Sequence, residues 1–279
     1  EGGIGLVGDQ RKNSTGFGWN DGEIAITVSG GTPPYSYEWF SSNGFTSEEE
    51  DISNLEPGKY TLVVKDANAD AGNSNNCSII KDFEIDEPEK LTVAIEETFS
   101  LLCKDDDDGE LYAEVSGGIT PYNYTWYIIN NGEQEAININ EASLTDLKAG
   151  VYQVKITDAN GVEQISETHN LAEPEALEIS LESLQDVLCY GASTGSIDVE
   201  ITGGIAPYAI YWTNNATTED INNLSARNYT VTVKDANGCW TDAIYEVKNA
   251  FTPIEISTVD ITHASKYRGE DGAVNIQVI

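Results

Sequence analysis

The stretch Gly117-Gly-Ile-Thr-Pro-Tyr-Asn-Tyr-Thr-Trp126 occurs three times in this chain, with small changes. The other copies run from Gly30 to Trp39 and from Gly203 to Trp212, so that successive copies start 87 and 86 residues apart. A unit of this length is a small domain with a core of its own. The sequence therefore predicts a tandem array of similar domains.

Within each copy, large apolar side chains recur at every second position. Tyr122, Tyr124 and Trp126 fall on one face of an extended strand, because side chains two residues apart point the same way. The same spacing places Trp39 and Trp212 at matching positions. Because the pattern recurs in every copy, we expect these aromatic residues to pack in the core rather than to form a sugar-stacking platform.

A second alternating strand follows in each copy and begins with a tyrosine, at Tyr60, Tyr152 and Tyr229. Gly58 and Gly150 form a turn just before two of these tyrosines, which resembles the tyrosine corner of Greek-key sandwiches. No long segment has the 3.6-residue period of a helix. We predict an all-β protein made of tandem immunoglobulin-like β-sandwich repeats in an elongated array.

Three proline-containing segments mark the boundaries between units, at residues 86–89, 172–175 and 250–253. They divide the chain into repeats at residues 1–87, 88–173 and 174–252 and the start of a fourth repeat at 253–279. We expect the first repeat to lack its opening strand and the rest of the fourth to lie beyond residue 279. Proline stiffens each junction because its φ is fixed. Three sandwiches of about 35 Å would then span about 100 Å.

Acidic residues dominate the charge: 48 Asp and Glu against 14 Lys and Arg give a formal net charge of −34. Such a chain lacks the basic surface that nucleic acid binding requires, and it would be repelled by anionic lipid. No apolar run is long enough to span a bilayer, so membrane insertion is not predicted. The charge permits binding of divalent cations and favours repulsion between neighbouring molecules.

Two short matches to functional strings lack the structural context that their chemistry needs. Residues 3–8 match GxGxxG, but no helix follows to bind a phosphate at its N-terminus. Residues 191–195 match GxSxG in a chain whose two histidines, His169 and His263, lie in different repeats. We therefore predict no catalytic residue and no enzymatic activity.

Clusters of acidic residues are candidate calcium ligands, because hard cations take several oxygen ligands from such loops. One cluster comprises Asp105, Asp106, Asp107, Asp108 and Glu110, and a second comprises Asp66 and Asp70. The alternative is a solvated acidic turn, in which Asp and Asn side chains bond to their own backbone.

Two tryptophans depart from the core pattern, Trp19 and Trp240. An exposed indole ring can stack on a sugar ring. These residues are therefore the candidates for a carbohydrate-binding surface, the alternative to a purely structural role.

The combined motif Gly-Gly-x-x-Pro-Tyr-x-Tyr-x-Trp, followed by Leu-x-x-Gly-x-Tyr-x-x-x-Val-x-Asp-Ala-Asn-Gly-Cys, resembles the SprB repeat. The third repeat matches the end of this pattern best, from Tyr229 to Cys239. SprB repeats occur in large cell-surface adhesins of gliding Bacteroidetes. The resemblance implies export through the type IX secretion system, a cell-surface location, and a role in adhesion and gliding. The implied partners are extracellular surfaces or polysaccharide, neighbouring repeats, and the secretion and gliding machinery.

The resemblance also implies a disulfide within the third repeat. Cys189 and Cys239 occupy the family's two cysteine positions, so we expect them to be bonded to each other. The first repeat has only Cys77 and the second only Cys103, with Val162 opposite. A bridge from Cys77 to Cys103 would require two repeats to fold against each other, which an extended array disfavours.

Overall fold

The computed structural model describes residues 3–69 and 77–278 of the chain. These residues form twenty-three β-strands. None of the described residues forms a helix that could cross a membrane. The chain divides into an N-terminal unit, residues 1–100 with 109–171, and a C-terminal unit, residues 101–108 with 172–279.

The first repeat lies in the N-terminal unit and consists of two antiparallel sheets. One sheet has the order β1-β2-β5 and the other β4-β3-β6-β7. The strands are β1 (Gly5–Lys12), β2 (Gly22–Ser29), β3 (Ser36–Ser41), β4 (Thr46–Ser47), β5 (Ile52–Leu55), β6 (Gly58–Lys65) and β7 (Ser78–Ile85).

The second repeat, whose strands all lie in the same unit, has the corresponding sheets. One sheet has the order β12-β9-β8, and in the other β11-β10-β13-β14 is joined by β15, which also pairs with β13. The strands are β8 (Thr92–Phe99), β9 (Gly109–Ser116), β10 (Asn123–Asn130), β11 (Glu133–Ile137), β12 (Ser143–Leu147), β13 (Gly150–Thr157), β14 (Glu163–Ile165) and β15 (His169–Leu171).

The C-terminal unit contains the third repeat and a hairpin. The sheets have the orders β16-β17-β19 and β18-β20-β21, and β22 pairs with β23. The strands are β16 (Glu178–Gln185), β17 (Gly195–Thr202), β18 (Ala209–Trp212), β19 (Ile221–Leu224), β20 (Arg227–Lys234), β21 (Trp240–Val247), β22 (Ile256–Thr262) and β23 (Ala273–Val278).

The opening strand of the first repeat is present, which corrects the expectation that it is missing. β1 pairs with β2 over Gly5 to Lys12, as β8 pairs with β9 and β16 with β17. The strand escaped notice because glycine and charged residues interrupt its alternation of apolar and polar positions.

The central tryptophans are buried, as predicted. Trp39 and Trp126 are 0% exposed and Trp212 is 4% exposed. Each indole N–H donates to a backbone carbonyl, at 3.0 Å in the first repeat, 2.9 Å in the second and 3.0 Å in the third. A buried tryptophan needs such a partner, and the contact fixes the ring in the core. The prediction of an all-β, immunoglobulin-like sandwich is confirmed.

The tyrosine corner is also confirmed in all three repeats. The hydroxyls of Tyr60 and Tyr152 each donate to the carbonyl four residues upstream at 2.8 Å, and that of Tyr229 does so at 3.0 Å. Arg227 replaces the glycine of the first two copies, yet the turn is kept. Its guanidinium lies 4.6 Å from the centre of the Tyr229 ring.

A buried aspartate joins the Gly-Gly segment to the Asp-Ala-Asn turn. In the second repeat the Asp158 carboxylate accepts hydrogen bonds from the N–H groups of Ile119, Asn160 and Val162, each at 2.9 Å. The N–H of Ala159 donates to the Ile119 carbonyl at 2.8 Å. Two segments 39 residues apart are thereby held together.

The same clamp recurs in the other repeats. Asp66 accepts from Thr32 N–H at 2.9 Å, and Asp235 accepts from Ile205 N–H at 2.9 Å. The three aspartates are only 8%, 3% and 6% exposed, in chain order. Charged groups are rarely buried this deeply unless they are fully hydrogen-bonded. The clamp is therefore a structural feature of the repeat.

The first glycine of the doublet is required by a separate close contact, between this loop and the backbone just before the opening strand of the repeat. Gly117 and Gly203 have φ of 71° and 68°, which favours glycine. A Cβ there would lie 2.1 Å from the Lys90 carbonyl oxygen in one repeat and 1.8 Å from that of Ala176 in the other. Only glycine lets the loop pass this close to the backbone.

Replacing Asp158 by Asn should destabilise the second repeat. An amide presents one oxygen where the carboxylate presents two, so at least one buried N–H loses its acceptor, at a cost of about 2–3 kcal/mol. Denaturant unfolding followed by tryptophan fluorescence measures the change. Glu133→Gln removes the same charge at an exposed position of this repeat and should leave the midpoint unchanged. Equal midpoints for both variants would contradict the clamp.

Candidate functional site at the repeat junctions

The candidate site is built from the loop that connects the two opening strands of each repeat, here called the junction loop. It comprises residues 13–21, 100–108 and 186–194 in the three repeats. Each loop ends just before the buried glycine of the next strand, Gly22, Gly109 or Gly195. The four consecutive aspartates of the calcium prediction lie in the second junction loop.

The glutamate before the proline of the first two linkers holds a junction loop. Glu87 accepts from the N–H of Gly18 at 2.5 Å, and Glu173 accepts from the N–H of Asp105 at 2.9 Å. Gly18 and Asp105 are equivalent residues with φ of 69° and 62°. The proline residues predict a stiffening role for the linkers, and the repeated Glu-Pro pair is the sequence signal for this second role.

Lys104 strengthens this contact in the second junction loop. Its ammonium donates to the Glu173 carboxylate. This hydrogen bond lowers the pKa of Glu173 and raises the pKa of Lys104, because each charge stabilises the other. The pair is solvent-exposed, so its contribution is mainly to orient the loop.

The structure does not gather the predicted calcium ligands into a single site. Among residues 3–69 and 77–278, no group of three or more acidic, histidine or cysteine side chains is placed to hold a metal ion. Asp105, Asp107 and Glu110 are exposed, while Asp106 and Asp108 are half-buried. The Asp108 carboxylate accepts from Leu102 N–H at 3.3 Å, closing the loop on itself.

The second proposed calcium source has a different role. Asp66 is the clamp residue of the first repeat, and its carboxylate also accepts from Asn68 N–H at 3.0 Å. Its oxygens are therefore used by the backbone, as in the turn alternative. Asp70 lies outside the described residues.

The two candidate sugar-stacking tryptophans lie in different units. Trp19 is 42% exposed, and its ring lies over Gly16, where an added Cβ would come within 2.7 Å of it. Trp240 is 68% exposed and begins β21. It lines a cleft of about 570 Å³ together with Cys103 and Leu177. The structure thus leaves Trp240 the more accessible of the two rings.

The disulfide joins different cysteines from those predicted. Cys103 is bonded to Cys239 with a Cα–Cα distance of 5.7 Å, and Cys189 is exposed and not bonded. The predicted Cys189–Cys239 pairing is wrong. Cys103 belongs to the second junction loop, and Cys239 follows the Asp-Ala-Asn-Gly turn of the third repeat. The bond therefore links consecutive repeats, and it lies wholly within the C-terminal unit because residues 101–108 cluster there.

A backbone contact beside the disulfide explains this pairing. The side-chain amide of Asn237 donates to the Leu102 carbonyl at 2.9 Å. The turn of the third repeat is thus placed against the loop of the second. Both cysteine positions were recognised in the sequence, but the repeat that supplies each half depends on this packing.

The variant Cys103→Ser tests the pairing directly. We expect Cys239 to become reactive to maleimide while Cys189 stays reactive, as it is in the unmodified chain, because the structure holds Cys239 against the second junction loop. Loss of the cross-link should lower the stability of the C-terminal unit by about 2–5 kcal/mol. Cys189→Ser is the matched control and should change neither the reactivity of Cys239 nor the stability of the C-terminal unit. A Cys189–Cys239 peptide in the digest of Cys103→Ser would contradict the assignment.

Known structures resemble this chain only weakly. A titin I-band fragment, I67–I69, is 11% identical, with 90% of this chain and 100% of the other covered and a TM-score of 0.41. A 1.5-MDa bacterial ice-binding adhesin is 12% identical, with 81% and 90% covered and a TM-score of 0.38. A tetra-tandem repeat from the extending region of a large adhesion protein is 12% identical, with 99% and 87% covered and a TM-score of 0.27. No curated protein sequence matches the chain.

The SprB repeat model matches three segments of the chain, at residues 11–44, 96–131 and 181–217. Each segment begins near the end of an opening strand and contains the junction loop, the following strand, the glycine doublet and the buried tryptophan. The matches fall at equivalent places in the three sandwiches. They confirm the resemblance drawn from the sequence: the chain is similar to the SprB repeat at three segments.

Proposed function

We propose that this chain is a non-enzymatic, structural segment of a cell-surface adhesin, in which the repeats act as coupled spacers. The observation that carries the proposal is the junction, where the turn of one repeat is held by the loop of the preceding one. A spacer whose domains are joined by side-chain contacts, and once by a covalent bond, transmits orientation better than domains on free linkers.

The linkers contribute to the same role. Before the prolines of the first two linkers, Glu87 and Glu173 each bind the backbone of a junction loop. After these prolines, the carbonyls of Glu89 and Glu175 accept from the N–H groups of Gly118 and Gly204, so both linkers are held on each side of the proline. The net charge of −34 repels neighbouring molecules and favours separate fibres. Surface attachment, gliding and export through the type IX system are the finer parts of this proposal, and they rest on the family resemblance.

Small-angle X-ray scattering tests the spacer role. We expect a rod-like profile with a maximum dimension of about 100 Å, since three sandwiches in line reach that length. The measurement is repeated with calcium and with chelator. A profile that loosens on chelation would add calcium to the proposal, and an unchanged rod would remove it. A compact globule would contradict the spacer role.

A pair of matched variants isolates the linker glutamates. Glu87→Ala with Glu173→Ala removes both acceptors, and we expect greater flexibility in the scattering profile. Glu89→Ala with Glu175→Ala removes the same number of charges from exposed positions of the same linkers and should leave the profile unchanged. Identical profiles for the two variants would show that the glutamate contacts do not stiffen the junction.

Binding of polysaccharide is the second candidate function, favoured by the exposure of Trp240 beside a cleft. An exposed tryptophan offers a flat apolar face to a sugar ring. On a glycan array, Trp240→Ala should lose binding while Ile244→Ala retains it, because Ile244 is an exposed apolar residue of the same strand. Absence of wild-type binding, or equal loss in both variants, would exclude the candidate.

A further inference from the structure

Two junctions in this chain use the same backbone contact. The Asn160 side-chain amide donates to the Thr15 carbonyl at 2.5 Å, and that of Asn237 donates to the Leu102 carbonyl at 2.9 Å. Thr15 and Leu102 both lie seven residues before the glycine that follows their junction loop, Gly22 or Gly109. The turn of each repeat therefore meets the preceding loop in the same register.

The cysteine positions follow from this register. The residue after the carbonyl acceptor and the residue two after the asparagine face each other. At the second junction these are Cys103 and Cys239, which are bonded. At the first they are Gly16 and Val162. Cysteine is thus present on both sides of one junction and on neither side of the other.

At the first junction, where Gly16 replaces the cysteine, a tryptophan ring fills the space. The three atoms that a Cβ on Gly16 would meet first all belong to Trp19, at 2.7–3.0 Å. The indole ring therefore occupies the space beside the residue that corresponds to Cys103. This explains why Gly16 is accompanied by a tryptophan that the other two loops lack.

The third junction loop is built like the other two. The N–H of Ala192 donates to the Cys189 carbonyl at 3.0 Å, as Asp106 donates to Cys103 at 3.4 Å. Cys189 is therefore the structural equivalent of Cys103, but it is exposed and not bonded. Beside it lies an exposed apolar surface formed by Leu188, Tyr190 and Phe251.

The last two strands have the arrangement of the opening strands of a repeat. β22 and β23 pair as the opening strands of the third repeat do, since Thr262 opposite Ala273 corresponds to Gln185 opposite Ser196. In the register of the second junction, the turn of a repeat opened by these strands would lie against the third junction loop. The apolar surface beside Cys189 would then lie next to that turn.

We propose that Cys189 is one half of a second inter-repeat disulfide, whose other half is the cysteine after the Asp-Ala-Asn-Gly turn of the next SprB repeat. The register of the junction, with Asn237 on Leu102 and Cys239 on Cys103, selects this partner. Cys239 itself is not a candidate, because it is already bonded to the preceding repeat. Disulfides of this kind would lock chosen junctions and leave others held by hydrogen bonds alone.

Bond formation requires an oxidant, here a small-molecule disulfide such as oxidised glutathione. The thiolate of one cysteine attacks the disulfide, forms a mixed disulfide and releases one glutathione thiol. The second thiolate attacks the protein sulfur of the mixed disulfide and releases the other. Two protein thiols are thus oxidised to one disulfide, and one glutathione disulfide is reduced to two thiols.

The full chain lengthened by a second copy of residues 203–252 tests the proposal. This copy completes the fourth repeat and supplies a second Asp-Ala-Asn-Gly-Cys turn. In a Cys77→Ser background with oxidised glutathione, we expect Cys189 to lose its reactivity to maleimide and a peptide linking it to the added cysteine to appear. Cys189→Ser should leave the added cysteine fully reactive. Continued labelling of Cys189 in the folded, lengthened chain would overturn the proposal.

A second experiment tests the register without lengthening the chain. Gly16→Cys with Val162→Cys adds a disulfide at the first junction, and Trp19→Ala removes the indole ring that a Cβ at position 16 would meet. In a Cys77→Ser, Cys189→Ser background, oxidation should remove two reactive thiols and 2 Da of mass, as two hydrogens are lost. Gly16→Cys with Glu163→Cys is the control, because the exposed Glu163 side chain is directed to Lys155, with which it forms an ion pair at 2.9 Å. Two remaining thiols in the first variant, or equal bonding in both, would overturn the register.

Both experiments map a covalent bond and do not depend on adhesion. The interpretation of both experiments would therefore hold even if the proposed spacer function were wrong.

Discussion

The rest of each repeat depends on one buried carboxylate. Asp66, Asp158 and Asp235 are nearly inaccessible to solvent, and each accepts backbone N–H groups from two segments distant in sequence. Burying a charge is unfavourable unless hydrogen bonds replace its water. The residue after the glycine doublet donates one of these bonds and the turn donates the others. The doublet permits this approach, because a Cβ on its second glycine would come within 2.8–3.0 Å of the carboxylate oxygen. The paired motifs are thus two halves of one interaction.

The Asp-Ala-Asn turn has a second use outside its own sandwich. While Asp158 or Asp235 points inward, Asn160 or Asn237 donates to the loop of the preceding repeat. Three residues therefore fix both the fold of a repeat and its contact with a neighbour. The same junction loop is also held by a linker glutamate, Glu87 or Glu173. Each of these junctions therefore brings together a turn, a loop and a linker. One short motif thus serves both the fold and the junction in successive repeats.

Much of the candidate site was visible in the sequence, but as separate positions. The cysteines, the linker glutamates and the acidic loop could each be located from their spacing. Their partners could not, because Glu173 lies 68 residues from Asp105, and Cys103 lies 136 residues from Cys239. For the same reason, the sequence could not show whether the predicted calcium ligands come together, and among the described residues they do not form a group that could hold a metal ion. Consecutive aspartates in a sequence do not by themselves direct their carboxylates to one point, which a metal site requires.

The sequence by itself determined the repeat, its all-β character, the buried tryptophans and the tyrosine corners. These follow from local physics, since alternation of apolar residues and the needs of turns act within a few positions. Only the tertiary structure decided that Cys239 bonds to Cys103 rather than to Cys189. In every copy of a tandem repeat the same positions recur, so sequence comparison cannot tell a partner in the same repeat from one in its neighbour. The packing of the turn of one repeat against the loop of the preceding one makes that distinction.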